Sequence, residues 1–208
     1  MPPSLQKEKN KHQVRTEETQ AKILDAAEAI FSEQGFEKTQ LDEVASRAGY
    51  TRGAIYAHYS SKEDLFLALM ERRVLTKITA VRRFIEAEPE VSERPEIFKR
   101  WLTSQVTDHT WGILMLEFKL YALRRPASRE RLQQTYDLIF KSTGNDFVEL
   151  LFGEYLDKAT RAAAERRLAV IGAIVSAVIL ESNFRPKLLP RQHLQSLVGE
   201  LYEALLRP

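Results

Sequence analysis

Arg52, Tyr56, His58 and Lys62 fall in one short stretch, TRGAIYAHYSSK, and between them stand only small or aliphatic residues until Tyr59. A guanidinium presents a rigid fork of donors that suits a guanine edge or a phosphate. Tyr56 and His58 carry polar tips on rigid rings, suited to phosphate oxygens, and Lys62 adds a cation. Gly53, Ala54 and Ala57 are small enough for a backbone to sit deep in a groove, with alanine methyls available to thymine methyls. Gly53 is the odd member. Inside a helix it costs roughly 1 kcal/mol against alanine, which points to a close approach that compensates it. The competing reading is a packed helix pair in an all-α core. Such a pair has no need of Thr, Arg, Gly, Tyr, His and Lys together on its outer side.

These side chains need elements to carry them. Leu41, Val44, Ala45 and Ala48 recur at helical spacing and predict a helix over Leu41–Ala48. Gly49 closes it, and Thr51 caps a second helix over Arg52–Tyr59. Tyr50 is placed to pack on Ile55 as a staple. A small residue, a glycine four positions later and a buried aliphatic beyond it are what a helix-turn-helix requires. An earlier helix, from about Glu17 to Gln34 with Thr16 as its cap, supplies the apolar stripe Ile23, Ala27, Ile30 and Phe31. Gly35 closes it and Phe36 packs as the chain turns. After Ser60 and Ser61 a long helix runs to about Glu86, with Leu65, Phe66, Leu69, Leu75 and Ile78 on its buried side.

The stretch AEAIFSEQGFEKTQLDEVASRAGYTRGAIYAHYSSKEDLF closely resembles the N-terminal DNA-binding domain of TetR-family transcriptional repressors. The resemblance runs from about Thr19 to Met70; beyond it only the layout is similar. It implies phosphate contacts from Thr39 or Gln40, Thr51, Tyr56, His58 and Lys62. It also implies base-edge approach by Arg52, Gly53, Ala54 and Ala57. Gln40 stands where the family usually has a serine or threonine cap, which leaves Thr39 to cap instead. Tyr50 replaces the usual Val or Leu. The resemblance further implies a homodimer on a palindromic operator of double-stranded DNA, released when a small-molecule effector shifts the helix that leads out of the DNA-binding head.

Charge alone does not announce this. The net charge of the 208 residues is only +2, and residues 1–62 hold nine basic and nine acidic side chains. The case for DNA rests on where the charges sit. Cysteine is absent, which excludes disulfides, thiolate metal sites and a cysteine nucleophile. Histidines 12, 58, 109 and 193 show no metal-ligand spacing, and no phosphate-binding glycine loop or nucleophile elbow occurs. The expectation is therefore no enzyme, no catalytic residue, no metal and no cofactor. Residues 1–15 contain no apolar run of the kind a secretory signal needs and read as a mildly basic flexible tail in a cytoplasmic protein.

Past Glu86 the chain reads as helical throughout, so the expected fold is all-α. Residues 16–62 form the helix-turn-helix domain, and 63–208 a helical effector-binding and dimerisation domain with 63–86 as linking helix. Ala87–Glu96 is the one loop rich in proline and acids. Helices are expected near Pro95–His109, Trp111–Arg124, Ser128–Phe152 with a break at Gly144-Asn145, Thr160–Asn183 and Arg191–Leu206. Leu168–Leu180 has no charge and is too short to span a membrane, so it reads as a helix buried on nearly all sides. Ala169, Gly172, Ala173, Ser176 and Ala177 permit close helix approach, and Leu194, Leu197, Val198 and Leu201 form a stripe on the last helix. The residues leave open whether these cover the chain's own core or a second subunit; the resemblance implies dimerisation through the last two helices. Glu117, in an otherwise apolar helix near Trp111, Phe118 and Tyr121, is a candidate carboxylate for a cationic or donor-bearing effector, or else pairs with Lys119 or Arg124 or faces solvent. The rival to a DNA-binding regulator is a helical small-molecule-binding or interaction protein that does not touch DNA.

Overall fold

Three phenylalanines knit the N-terminal helices together. Phe31 and Phe36 stack at 5.9 Å, and Phe66 meets both edge-on at 5.2 Å. Each of the three is fully buried. The computed structural model describes residues 11–142, 147–153 and 156–206, and among them every regular element is a helix. In chain order these are α1 (Lys11–Lys38), α2 (Leu41–Ala48), α3 (Arg52–Tyr56), α4 (Lys62–Glu86) and α5 (Arg94–Ser104). They continue with α6 (His109–Leu123), α7 (Pro126–Ser142), α8 (Phe147–Phe152), α9 (Lys158–Phe184) and α10 (Leu194–Leu206). The fold is all-α, with an N-terminal helix-turn-helix followed by a helical C-terminal part.

Several boundaries differ from those expected. α1 begins at Lys11, so residues 11–15 are helical rather than a flexible tail, and Thr16 lies inside the helix instead of capping it. No glycine or proline lies between Lys11 and Arg15, so nothing there breaks the helix as it extends backward past Thr16. The rest of the expected tail, 1–10, lies outside the described residues. Gly35, at φ 78°, bends the chain where closure was expected, and a last turn continues to Lys38. α3 is a five-residue helix, three residues shorter than expected. The expected break at Gly144-Asn145 lies outside the described residues, with α7 and α8 on either side.

The chain divides into two compact units, the first ending at Met70 and the second beginning at Glu71. The division falls inside α4 because Leu65, Phe66, Leu67, Leu69 and Met70 are all buried in the first unit. The proline- and acid-rich segment after Glu86 lies within the second unit, where Val81 and Ile85 before it and Phe98 and Leu102 after it share one core. α9 contributes Ile171, Val175 and Ile179 to that core, and α10 contributes Leu194, Val198 and Tyr202.

A charged clasp adds to the second unit. The Asp108 carboxylate caps α6 through the Trp111 N–H, meets the Arg73 guanidinium, and lies 2.9 Å from the Lys77 ammonium. The Arg73 guanidinium also lies 4.4 Å over the Trp111 ring. Partial burial works to raise the Asp108 carboxyl, but Lys77, Arg73 and the Trp111 N–H together hold it below its ordinary value. Asparagine caps helices about as well as aspartate, so Asp108→Asn isolates the ionic part of the clasp. We expect wild type to exceed this variant in stability at neutral pH in chemical denaturation. A depressed folded-state pKa contributes above the unfolded value, so the difference should vanish as pH falls through the depressed carboxylate range.

Candidate nucleic-acid interface

The turn between α2 and α3 is set by Gly49 at φ 75°, a conformation that carries a steric cost for residues with a Cβ. The Tyr50 N–H donates to the Ala45 carbonyl at 2.9 Å and the Gly49 N–H to Ser46 at 3.2 Å, which closes α2. Thr51 then caps α3, its hydroxyl oxygen accepting from the Ala54 N–H at 3.3 Å. Ile55 is the one buried residue of α3, at 0% exposure. The Tyr50 hydroxyl donates to the Thr19 hydroxyl at 3.4 Å, tying the turn to α1.

With Ile55 pointing inward, the rest of α3 is left on the outside. Arg52, Gly53, Tyr56 and Ala57 are exposed, Ala54 and His58 half-buried. The Arg52 guanidinium lies 3.1 Å from the Asp42 carboxylate and 5.4 Å from the Tyr56 ring centre. A Cβ added at Gly53 would meet only the Thr51 hydroxyl oxygen, at 3.9 Å. Among the described residues nothing therefore requires glycine there.

Two expected contacts have other duties. Thr39 neither caps α2 nor faces outward: its hydroxyl donates to the Gly35 carbonyl at 2.8 Å and the residue is 2% exposed. Gln40 is the exposed member of that pair and occupies the α2 cap position without a side-chain capping bond. Lys62 donates to the Glu37 carbonyl at 2.6 Å and lies 4.9 Å over the Phe36 ring. Burial lowers its ammonium pKa, with Glu37 and Glu63 opposing. One of its three donors thus secures the start of α4. Sequence reasoning missed Asp42 as a partner of the outer face, since a first-turn acid reads as a helix-dipole residue.

In the second unit an apolar cavity of about 690 Å³ opens among α4 to α9. Val74, Ile78, Phe98, Trp101, Phe147 and Leu168 form much of its wall, with Lys119, Tyr136, Asp137 and Glu165 as polar members. Trp111, Glu117, Phe118 and Tyr121, expected to line a pocket, are not among the residues that line this cavity. Phe118 is fully buried and stacks with Tyr121 at 6.1 Å, Trp111 packs on Arg73, and Glu117 is exposed. α6 turns Lys119, not Glu117, toward the cavity, and a register difference of this size is invisible in an apolar stretch.

The C-terminal helices also sort differently from expectation. Leu194 and Val198 are each 1% exposed inside the chain's own core, and Leu197 and Leu201 are half-buried. Ala169, Gly172 and Ala173 border the cavity, their small size leaving it room. Ala177 is exposed and Ser176 half-buried, its hydroxyl donating to the Gly172 carbonyl at 3.0 Å. The charge-free run Leu168–Leu180 is not buried on all sides: Ile171, Val175 and Ile179 face the core, while Val170 is 51% exposed. Among the described residues no histidine–carboxylate cluster could hold a metal, and no helix is long and apolar enough to cross a membrane.

Comparison with known proteins agrees with this architecture. Residues 23–69 match the family described as bacterial regulatory proteins, tetR family. The chain is 51% identical over 55 residues to the HTH-type transcriptional regulator AcrR of Shigella flexneri, covering 26% of each chain. The chain spans between 23% and 58% of the length of the curated relatives it matches. Among solved structures, the fatty acid degradation regulator FadR of Bacillus halodurans superposes with a TM-score of 0.63 at 23% identity, over 91% of this chain and 96% of that one. SmeT of Stenotrophomonas maltophilia, solved as a triclosan complex, gives 0.57 at 24% identity over 90% of both chains. Residues 23–69 thus form a helix-turn-helix domain of the tetR family, and the chain as a whole shares the fold of these solved structures.

Proposed function

We propose that this chain is a ligand-responsive repressor that binds a palindromic operator as a homodimer and leaves it when a small molecule occupies the C-terminal unit. The observation that carries the DNA reading is Gly53. It sits on an exposed helix face with empty space around it, so the close approach that favours a glycine there comes from outside the chain. α3 supplies Arg52 for a guanine edge, Ala54 and Ala57 for thymine methyls, and Tyr56 for phosphate, with Gln40, Thr51, His58 and Lys62 around it. Such a protein acts where the chromosome is, which makes the cytoplasm its site.

The exposed part of α9, with Val170 and Ala177, and the half-buried Leu197 and Leu201 of α10 supply an apolar face for a second copy of the chain. A two-fold pair would present two α3 helices to half-sites about one helical turn apart. The cavity falls within the range of roughly 300–1,000 Å³ usual for ligand sites, and its walls suit a mainly apolar effector. SmeT, which shares the fold, is known as a complex with triclosan. An effector releases DNA only if it binds the DNA-incompetent conformation more tightly, and the coupling is reciprocal.

The deciding experiment is a mobility-shift titration against duplexes selected from a random pool, repeated at several salt concentrations. Operator affinity should fall linearly with salt on log–log axes, at about 0.9 per phosphate contact. A helical binding protein that ignores DNA would show no such slope and no enriched sequence. Arg52→Ala should cost about 1–3 kcal/mol per half-site and relax base preference at one position.

Gly53→Ala should separate folding from binding. With no neighbour to clash, the variant should gain up to about 1 kcal/mol in denaturation. Its operator affinity should drop, because the new methyl occupies space the duplex needs. Gly172→Leu, which directs a side chain into the cavity, should abolish binding of an apolar fluorescent dye while leaving operator affinity intact.

A further inference from the structure

Arg52 is not loose on the outer face. Its Nη1 donates to Asp42 Oδ2 at 3.1 Å, and its guanidinium carbon lies 5.4 Å from the Tyr56 ring centre. Asp42 belongs to the first turn of α2, while Arg52 is the first residue of α3. Both side chains are largely exposed, at 51% and 67%. An exposed pair of this kind contributes little to folding stability. What it does fix is where the guanidinium points.

Resting on the DNA-binding reading above, we infer that Asp42 is the positioning residue for Arg52 and so sets base selectivity at the guanine this arginine reads. A guanidinium has five donors in a planar fork, and Asp42 takes one of them. The remaining edge stays available for a two-pronged contact with guanine O6 and N7. The Tyr56 ring lies beside the guanidinium, its centre 5.4 Å from the guanidinium carbon. An arginine held by a carboxylate before docking loses less side-chain freedom when it meets the base. The carboxylate also makes the same surface less attractive to phosphates at large, since a fixed negative charge beside the duplex weakens binding to every sequence. Both effects raise the ratio of specific to non-specific binding.

Glu43 provides the control. It shares the first turn of α2 with Asp42 and can serve the helix dipole equally, but the ion pair to Arg52 is made by Asp42.

The test uses the full-length protein and its selected duplex, compared with the same duplex altered at the guanine whose preference Arg52→Ala abolishes. The readout is the affinity ratio between the two duplexes, because removing a carboxylate should strengthen binding to both. Asp42→Asn should lower that ratio by roughly two- to tenfold. Asp42→Glu should retain part of it, and Glu43→Gln should leave it unchanged. In an Arg52→Ala background, Asp42→Asn should produce no further loss. An unchanged ratio in Asp42→Asn or an equal loss in Glu43→Gln would each overturn the assignment. Failure of the wild-type protein to select any duplex would instead remove the DNA-binding reading itself.

Discussion

A helix of five residues cannot hold itself together in water, so α3 exists because Ile55 is buried. Isolated helices need about 12–15 residues to be even marginal. α3 makes up the deficit with one apolar anchor and one capping hydroxyl, Thr51. That economy has a functional consequence. Only one of its five residues is buried, leaving most of the helix surface for a partner. Gly49 sets the turn from which this surface is presented, and the phenylalanine cluster joins α1 to α4 within the same unit.

The electrostatics of this head are local. With equal numbers of acids and bases in residues 1–62, attraction to a polyanion comes from placement rather than net charge. Several cations there are already engaged. Arg47 is paired with Glu33 at 2.7 Å, Arg52 with Asp42, and Lys62 with the Glu37 carbonyl. Such engagements restrain long side chains that would otherwise pay for ordering on contact, and they keep the surface from being indiscriminately sticky.

α4 contributes Phe66 to the first unit's core and Val81 and Ile85 to that of the second. In the second unit its Arg73 and Lys77 are held by Asp108 at the head of α6, while Val74 and Ile78 border the cavity. A molecule entering that cavity meets side chains of the same helix that the clasp restrains. Small residues on α9 make the room: Ala169, Gly172 and Ala173 stand where larger side chains would fill it.

Much of the head was legible in the amino-acid sequence alone. Apolar spacing named Leu41, Val44, Ala45 and Ile55 as buried, Gly49 as the turn and Thr51 as the cap, because these are local consequences of helical period and backbone chemistry. The all-α character and the outer position of Arg52, Gly53 and Tyr56 follow from the same local rules. Tertiary structure decided what local rules cannot reach. Thr39 turned inward because Gly35 bends the chain and leaves its carbonyl within reach of the hydroxyl. Which face of an apolar helix lines a cavity depends on neighbours distant in sequence, so Glu117 ended outside and Lys119 inside. Leu194 and Val198 went to the chain's own core for the same reason. Periodicity says that a helix has an apolar stripe; only the packed neighbours say what the stripe touches.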